Sequence, residues 1–181
     1  SAQGLEDLAL MCALPGFTVV VPADAAETVL AVRAAAETQG PFYVRLSRPA
    51  TPLVHGDKGC SFRVGKAEVL REGRDVTIVA CGSMVATALE AAQALQAEGV
   101  GCRVLNMHTL APLDEEAVVK AAEETGALVT AEEHYIHGGL GSLVAQTLAL
   151  HHPTPLEMVA LYGYAESGKP ELLLEKYGLT A

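Results

Sequence analysis

Asp75-Val-Thr-Ile-Val-Ala-Cys-Gly-Ser83, running on through Met84 and Val85 to Leu95, decides the fold class. Residues 76–81 form a run that is apolar except for Thr77 and ends at a glycine. Strands that read this way are usually buried on both faces, as in a parallel sheet covered by helices. Directly after it, Val85, Ala88, Leu89, Ala92 and Leu95 recur at helical spacing behind Ser83, which stands where an N-cap belongs. A buried strand feeding an amphipathic helix is the repeating unit of an α/β protein with right-handed crossovers.

The same rhythm extends in both directions. Near-continuous apolar runs at 17–21, 42–47, 101–107, 127–131 and 156–160 predict further strands, and a strand pair is expected around 64–70. Asp24 and Glu27 have capping-box spacing ahead of Val29 and Val32. Asp114, Glu115 and Glu116 put negative charge at the start of a helix that Gly126 closes. From 47 to 65 the rhythm breaks in a stretch rich in proline and glycine, which reads as a linker. The expected organisation is an incomplete α/β unit over 1–50, a linker over 51–62, and a small three-layer α/β domain with a mostly parallel sheet over 63–181. No internal repeat or low-complexity segment interrupts it.

Composition narrows the function. The chain has 181 residues, half of them hydrophobic but only 4% aromatic, so its core is aliphatic. At this size folding buries about 70% of the unfolded surface, and no staple is needed. The formal net charge of -10 repels phosphate backbones, and few rings are available to stack bases, which argues against nucleic-acid binding. Cys12, Cys60, Cys81 and Cys102 lack zinc-knuckle spacing and read as buried reduced thiols. No apolar run approaches the ~18 residues of a membrane span, and the first residues lack a targeting profile, so a soluble cytoplasmic protein is expected.

Few residues stand out as chemical. His134-Tyr-Ile-His137-Gly-Gly-Leu-Gly141-Ser142 lies between a strand and the helix predicted over 143–150. Gly138, Gly139 and Gly141 either cradle a phosphate with free N–H groups or permit a tight turn and close packing; the second reading is preferred, because Glu132 and Glu133 would repel an anion. Glu132, Glu133 and His134 are either an acid/base or metal cluster or a solvated or interface-facing loop, again with the second preferred. His151 and His152 complement a helix dipole, and His55 and His108 have no assignment. Cys81-Gly-Ser83 is not a nucleophile elbow. Arg45 and Arg48 lie where the strand over 42–47 ends, the place where open α/β sheets hold ligands. For both, a phosphate or carboxylate contact competes with surface salt bridging, more evenly for Arg48.

Taken in order, several stretches resemble the transketolase family of thiamine-diphosphate enzymes along the whole chain. Ser1-Ala-Gln-Gly-Leu-Glu-Asp7, Leu14-Pro-Gly16, Val21-Pro-Ala-Asp24 and Leu46-Ser-Arg48 are similar to the latter half of the pyrimidine-binding domain. Gly65-Lys-Ala-Glu68, Asp75–Ser83, Pro112-Leu-Asp114, Glu132-Glu-His134, Gly138-Gly-Leu-Gly-Ser142, Ser167-Gly-Lys169 and Tyr177-Gly-Leu-Thr-Ala181 are similar to the C-terminal domain. The resemblance implies a two-carbon ketol transfer between sugar phosphates, with thiamine diphosphate and Mg²⁺ held by an N-terminal domain or subunit outside this chain. It implies a homodimer, a chain inactive by itself, a substrate-phosphate contact by Arg48, and Gln3 beside the substrate. Ala2 stands where the family commonly has His, which points towards an altered donor. The alternative is a non-catalytic assembly domain of a 1-deoxyxylulose-5-phosphate synthase or an oxo-acid dehydrogenase β chain. A freestanding nucleotide-binding domain using residues 138–142 is the weaker competitor.

Overall fold

A computed structural model describes residues 4–56 and 59–181. In chain order the elements are α1 (Asp7–Cys12), β1 (Thr18–Val20), α2 (Ala25–Glu37), β2 (Phe42–Val44), β3 (Glu68–Arg71), β4 (Val76–Ala80), α3 (Met84–Ala97), β5 (Cys102–Asn106), β6 (Thr109–Ala111), α4 (Glu115–Thr125), β7 (Leu128–Tyr135), α5 (Leu140–His151), β8 (Leu156–Leu161) and α6 (Pro170–Lys176). They build a five-stranded sheet in the order β3-β5-β4-β7-β8 and a three-stranded sheet in the order β2-β1-β6.

The larger sheet is the predicted three-layer domain. β4, β5, β7 and β8 run parallel, and β3 pairs antiparallel with β5 at the edge. Alternation along the strands divides the core. Val79 and Cys81, with Leu105 and Leu128, face a cluster containing Val118, Leu140 and Val144 from α4 and α5. Ile78 and Ala80, with Cys102 and Val104, face a cluster with Met84, Val85, Ala88 and Ala92 from α3. Both faces are covered, so both parities are apolar, as the run 76–81 requires.

Several expectations change. The pair expected around 64–70 is one strand, β3, whose partner β5 lies much later in the chain. Ser83 does not cap α3; its hydroxyl donates to Glu133 instead. Cys12 and Cys60 are half-buried, whereas Cys81 and Cys102 are buried, and all are free. The strand over 127–131 continues to Tyr135, and α5 begins at Leu140 rather than 143. β6 was not expected: it pairs antiparallel with β1, so a strand from the later unit completes the sheet of the first. Leu8, Val19 and Val21 accordingly share one buried cluster with Leu105, Leu110 and Val144. Among the described residues no helix is long and apolar enough to cross a membrane.

Candidate functional site

At the exit of β2 the chain is tied to both units. Arg45 hydrogen-bonds its backbone N–H to the Val20 carbonyl, and its Nε lies 3.1 Å from Asp7 Oδ2. Its Nη2 donates to the Glu133 carbonyl at 3.0 Å. Tyr43 donates its hydroxyl to the same Asp7 oxygen at 2.7 Å; burial, then that bond, pushes the phenol up to about 12. Arg45 is thus a half-buried clamp joining β2, α1 and β7. Glu133, on the opposite face of β7 from Glu132, receives Ser83.

Glu132 and His134 are fully buried, which corrects the solvated-loop reading. Residues two apart on a strand share a face, and here that face meets the start of α5 and the side of α1. Glu132 accepts the N–H groups of Leu140 and Gly141, each at 2.8 Å. Burial raises its pKa, and those two N–H bonds work against the rise. His134 donates from Nδ1 to the Tyr135 carbonyl and accepts the Ala9 N–H at Nε2, which assigns the Nδ1–H tautomer from its partners. The anion site at this helix start is therefore filled by the protein's own carboxylate, and the loop does not offer a phosphate cradle. The glycines are needed for space: a Cβ on Gly138, which has φ +80°, would meet Ala9 Cβ at 2.6 Å, and one on Gly139 would overlap the Glu132 carboxylate. A Cβ on Gly141 would meet Met158 Sδ at 2.9 Å and Thr130 Oγ1 at 3.0 Å. The close-packing reading of Gly138, Gly139 and Gly141 is the one the geometry supports.

Arg48 lies four residues past the end of β2, in an exposed bend of the chain. Ala2 and Gln3 lie outside the described residues.

A second constellation escaped the sequence. Asp24 caps α2 through the Glu27 N–H, as its spacing predicts, but its other oxygen accepts the N–H groups of Val54 and His55 and contacts His55 Nδ1 at 2.9 Å. Burial alone would raise Asp24; the N–H of Glu27, the His55 ring and the remaining amides outweigh it and hold the carboxyl at about 2. Glu27 is fully buried, and burial pushes it up to about 7. One of its oxygens accepts the Ala23 N–H and the other the Asn106 amide. His55 Nε2 lies 3.8 Å from Glu27 Oε1 and 3.2 Å from Glu68 Oε2. Cys60 completes the group, all four ligand-type atoms lying within 4.8 Å of one another. Glu27 stands far upstream of His55, Cys60 and Glu68, and the spacing of those three matches no common ligand motif, so the sequence did not announce the group.

The fold and these loops define a class, a chain whose small three-layer domain is preceded by part of a second α/β unit. Residues 65–181 match the transketolase C-terminal domain, and residues 1–54 match the transketolase pyrimidine binding domain. The chain belongs to the transketolase family and is a C-terminal portion of such a protein. It is 45% identical over 180 residues to a 6-deoxy-6-sulfo-D-fructose transketolase subunit of Clostridium sp. (strain MSTE9), covering 99% of this chain and 56% of that protein. Over 159 residues it is 40% identical to one subunit of an apulose-4-phosphate transketolase from Phocaeicola vulgatus, covering 88% of this chain and 51% of the relative. A solved split-gene transketolase, described as an inactive beta4 tetramer, is 51% identical with a TM-score of 0.95, covering 98% of this chain and 58% of its own. The chain spans about half the length of the curated relatives it matches.

Proposed function

We propose that this chain is the C-terminal half of a transketolase that moves a two-carbon ketol unit between sugar phosphates or similar sugars. In this reading 1–50 is the end of the pyrimidine-binding domain, 51–62 a linker and 63–181 the C-terminal domain. Thiamine diphosphate and Mg²⁺ are held by an N-terminal diphosphate-binding domain or subunit, and the complete cytoplasmic enzyme is a homodimer of such units. The grouped donor set of Glu27, His55, Cys60 and Glu68 does not fit that Mg²⁺, which takes oxygen ligands. The observation that carries the reading is the 51% identity to a split-gene transketolase chain along 98% of this one.

Arg48 is assigned to the anionic end of the donor. The relatives' names include a sulfonated sugar and a phosphorylated one, and a planar guanidinium fork suits either oxyanion. Ala2, at the position of a family His, and Gln3 lie on the same substrate side. Glu132, Glu133, His134 and the Gly138, Gly139 and Gly141 loop have an architectural role. Exposed Leu10, Leu14, Val29 and Val32 on and beside α1 and α2 support a partner-covered surface.

Titrating the isolated chain with thiamine diphosphate and Mg²⁺ by calorimetry tests the division of labour. The expected result is no tight binding and no ketol transfer until the diphosphate-binding half is added. Micromolar binding by the chain alone would overturn it.

A further inference from the structure

Glu27, His55, Cys60 and Glu68 form a partly buried group at the linker whose hydrogen bonding is incomplete. The His55 side chain is 1% exposed, yet its Nε2 has no hydrogen-bond partner, and neither has Glu68 Oε2, 3.2 Å away. Buried polar atoms are rarely left in that condition, and those that are need an explanation. Nδ1 of the same ring is engaged by Asp24 at 2.9 Å. A carboxylate on one ring nitrogen with the other left open is how proteins fix the tautomer and aim of a metal-binding histidine.

We propose that Glu27, His55, Cys60 and Glu68 bind a divalent transition metal of the zinc class. In a tetrahedral zinc site, bonds of about 2.0–2.3 Å put neighbouring donor atoms about 3.3–3.8 Å apart. His55 Nε2 stands 3.2 Å from Glu68 Oε2 and 3.8 Å from Glu27 Oε1. The widest separation in the group is within 4.8 Å, so a bound metal would draw the outermost donor inwards. A set of one imidazole, one thiol and two carboxylates suits zinc and its neighbours, and the thiolate disfavours Mg²⁺ and Ca²⁺. Asn106 hydrogen-bonds Glu27 Oε1 at 2.8 Å and so orients that ligand without filling its second lone pair.

The donors come from α2, the linker and β3, so the metal would tie α2 and the edge strand β3 to the linker between them. The test of this site needs neither thiamine nor sugar, so its outcome is independent of the transketolase reading.

Full-length protein, stripped with a chelator and kept free of thiamine diphosphate and Mg²⁺, is titrated with Co²⁺ and followed by absorption. One equivalent should give a thiolate-to-cobalt charge-transfer band in the near ultraviolet, which Zn²⁺ abolishes by displacement. Cys60→Ser should lose that band, and Asp24→Asn should weaken binding about 10–100-fold by releasing the His55 ring. In the unmutated protein, Zn²⁺ should slow alkylation of Cys60 at least about tenfold by mass spectrometry, because a coordinated thiolate is a poor nucleophile. Absence of the band, or a band that survives in Cys60→Ser, overturns the assignment. So does Cys60 alkylation at one rate with and without Zn²⁺, which identifies the group as an ion-paired network only.

Discussion

Glu132 shows how a single buried carboxylate can be misjudged from sequence. Beside Glu133 and His134 it has the look of a solvated acidic loop, yet it is sealed inside and accepts two N–H groups at the start of α5. The start of a helix leaves its first N–H groups without partners, which the sequence does signal; what it lacks is any sign that Glu132, at the other end of the loop, is the group that accepts them. Glu132→Ala would strand both, at about 1–3 kcal/mol for each. Urea denaturation should show a loss of about 2–6 kcal/mol, and a loss below about 1 kcal/mol would mean the amides find another acceptor. Arg48 belongs to the same scale but to binding. Charge-assisted hydrogen bonds make Arg48→Ala cost roughly ten- to a hundred-fold in substrate affinity, with Lys recovering only part because it lacks the fork. Steady-state kinetics on the complete enzyme decide this: an unchanged kcat/KM with an anionic donor removes Arg48 from the site.

Elements were legible where burial is two-sided. β4 and β5 fall within a residue of their expected bounds, because their buried apolar runs suit a strand covered on both faces; β8, an edge strand buried only at Ala160 and Leu161, is found as closely. β6 was not, for a three-residue strand has no periodicity of its own and exists because β1 offers it an edge. Its approach from β5 passes through His108, fully buried against Phe62, with Nδ1 hydrogen-bonded to Thr109. Burial, and then the positive charge that His55 carries when protonated, lower His108 from 6.5 to about 4. A depressed histidine stays neutral in the folded state while the unfolded chain takes up a proton. Its contribution is therefore complete above about pH 6.5 and is lost as pH falls to about 4, amounting to about 3 kcal/mol. In denaturation curves across that window, His108→Gln should flatten the fall in stability relative to the unmutated protein. Parallel slopes would show that His108 protonates in place.

At the scale of the whole molecule, the sequence divides the chain at the linker more cleanly than the structure does. The punctuation over 47–65 is real in composition, and residues 1–54 and 65–181 match separate domains. Packing ignores that division: β1 lies between β2 and β6, and Leu8, Val19 and Val21 lie in one cluster with Leu110, Val118 and Leu140. Hydrophobic patterning marks which residues are buried but not against which segment, so a shared core between distant units is invisible to it. The consequence is testable by separation. Residues 65–181 expressed alone would keep their five-stranded sheet but leave the β6 edge unpaired and uncover the apolar side of Leu110. Unpaired strand edges beside exposed apolar surface drive self-association. Sedimentation velocity should show this fragment forming larger species at micromolar concentration and binding a hydrophobic dye. Adding a peptide that contains α1 and β1, or restoring the chain from residue 4, should reverse both effects. A fragment that remains a well-packed monomer, with no dye binding, would mean that β6 folds back on its own domain and that the common core contributes little to either half.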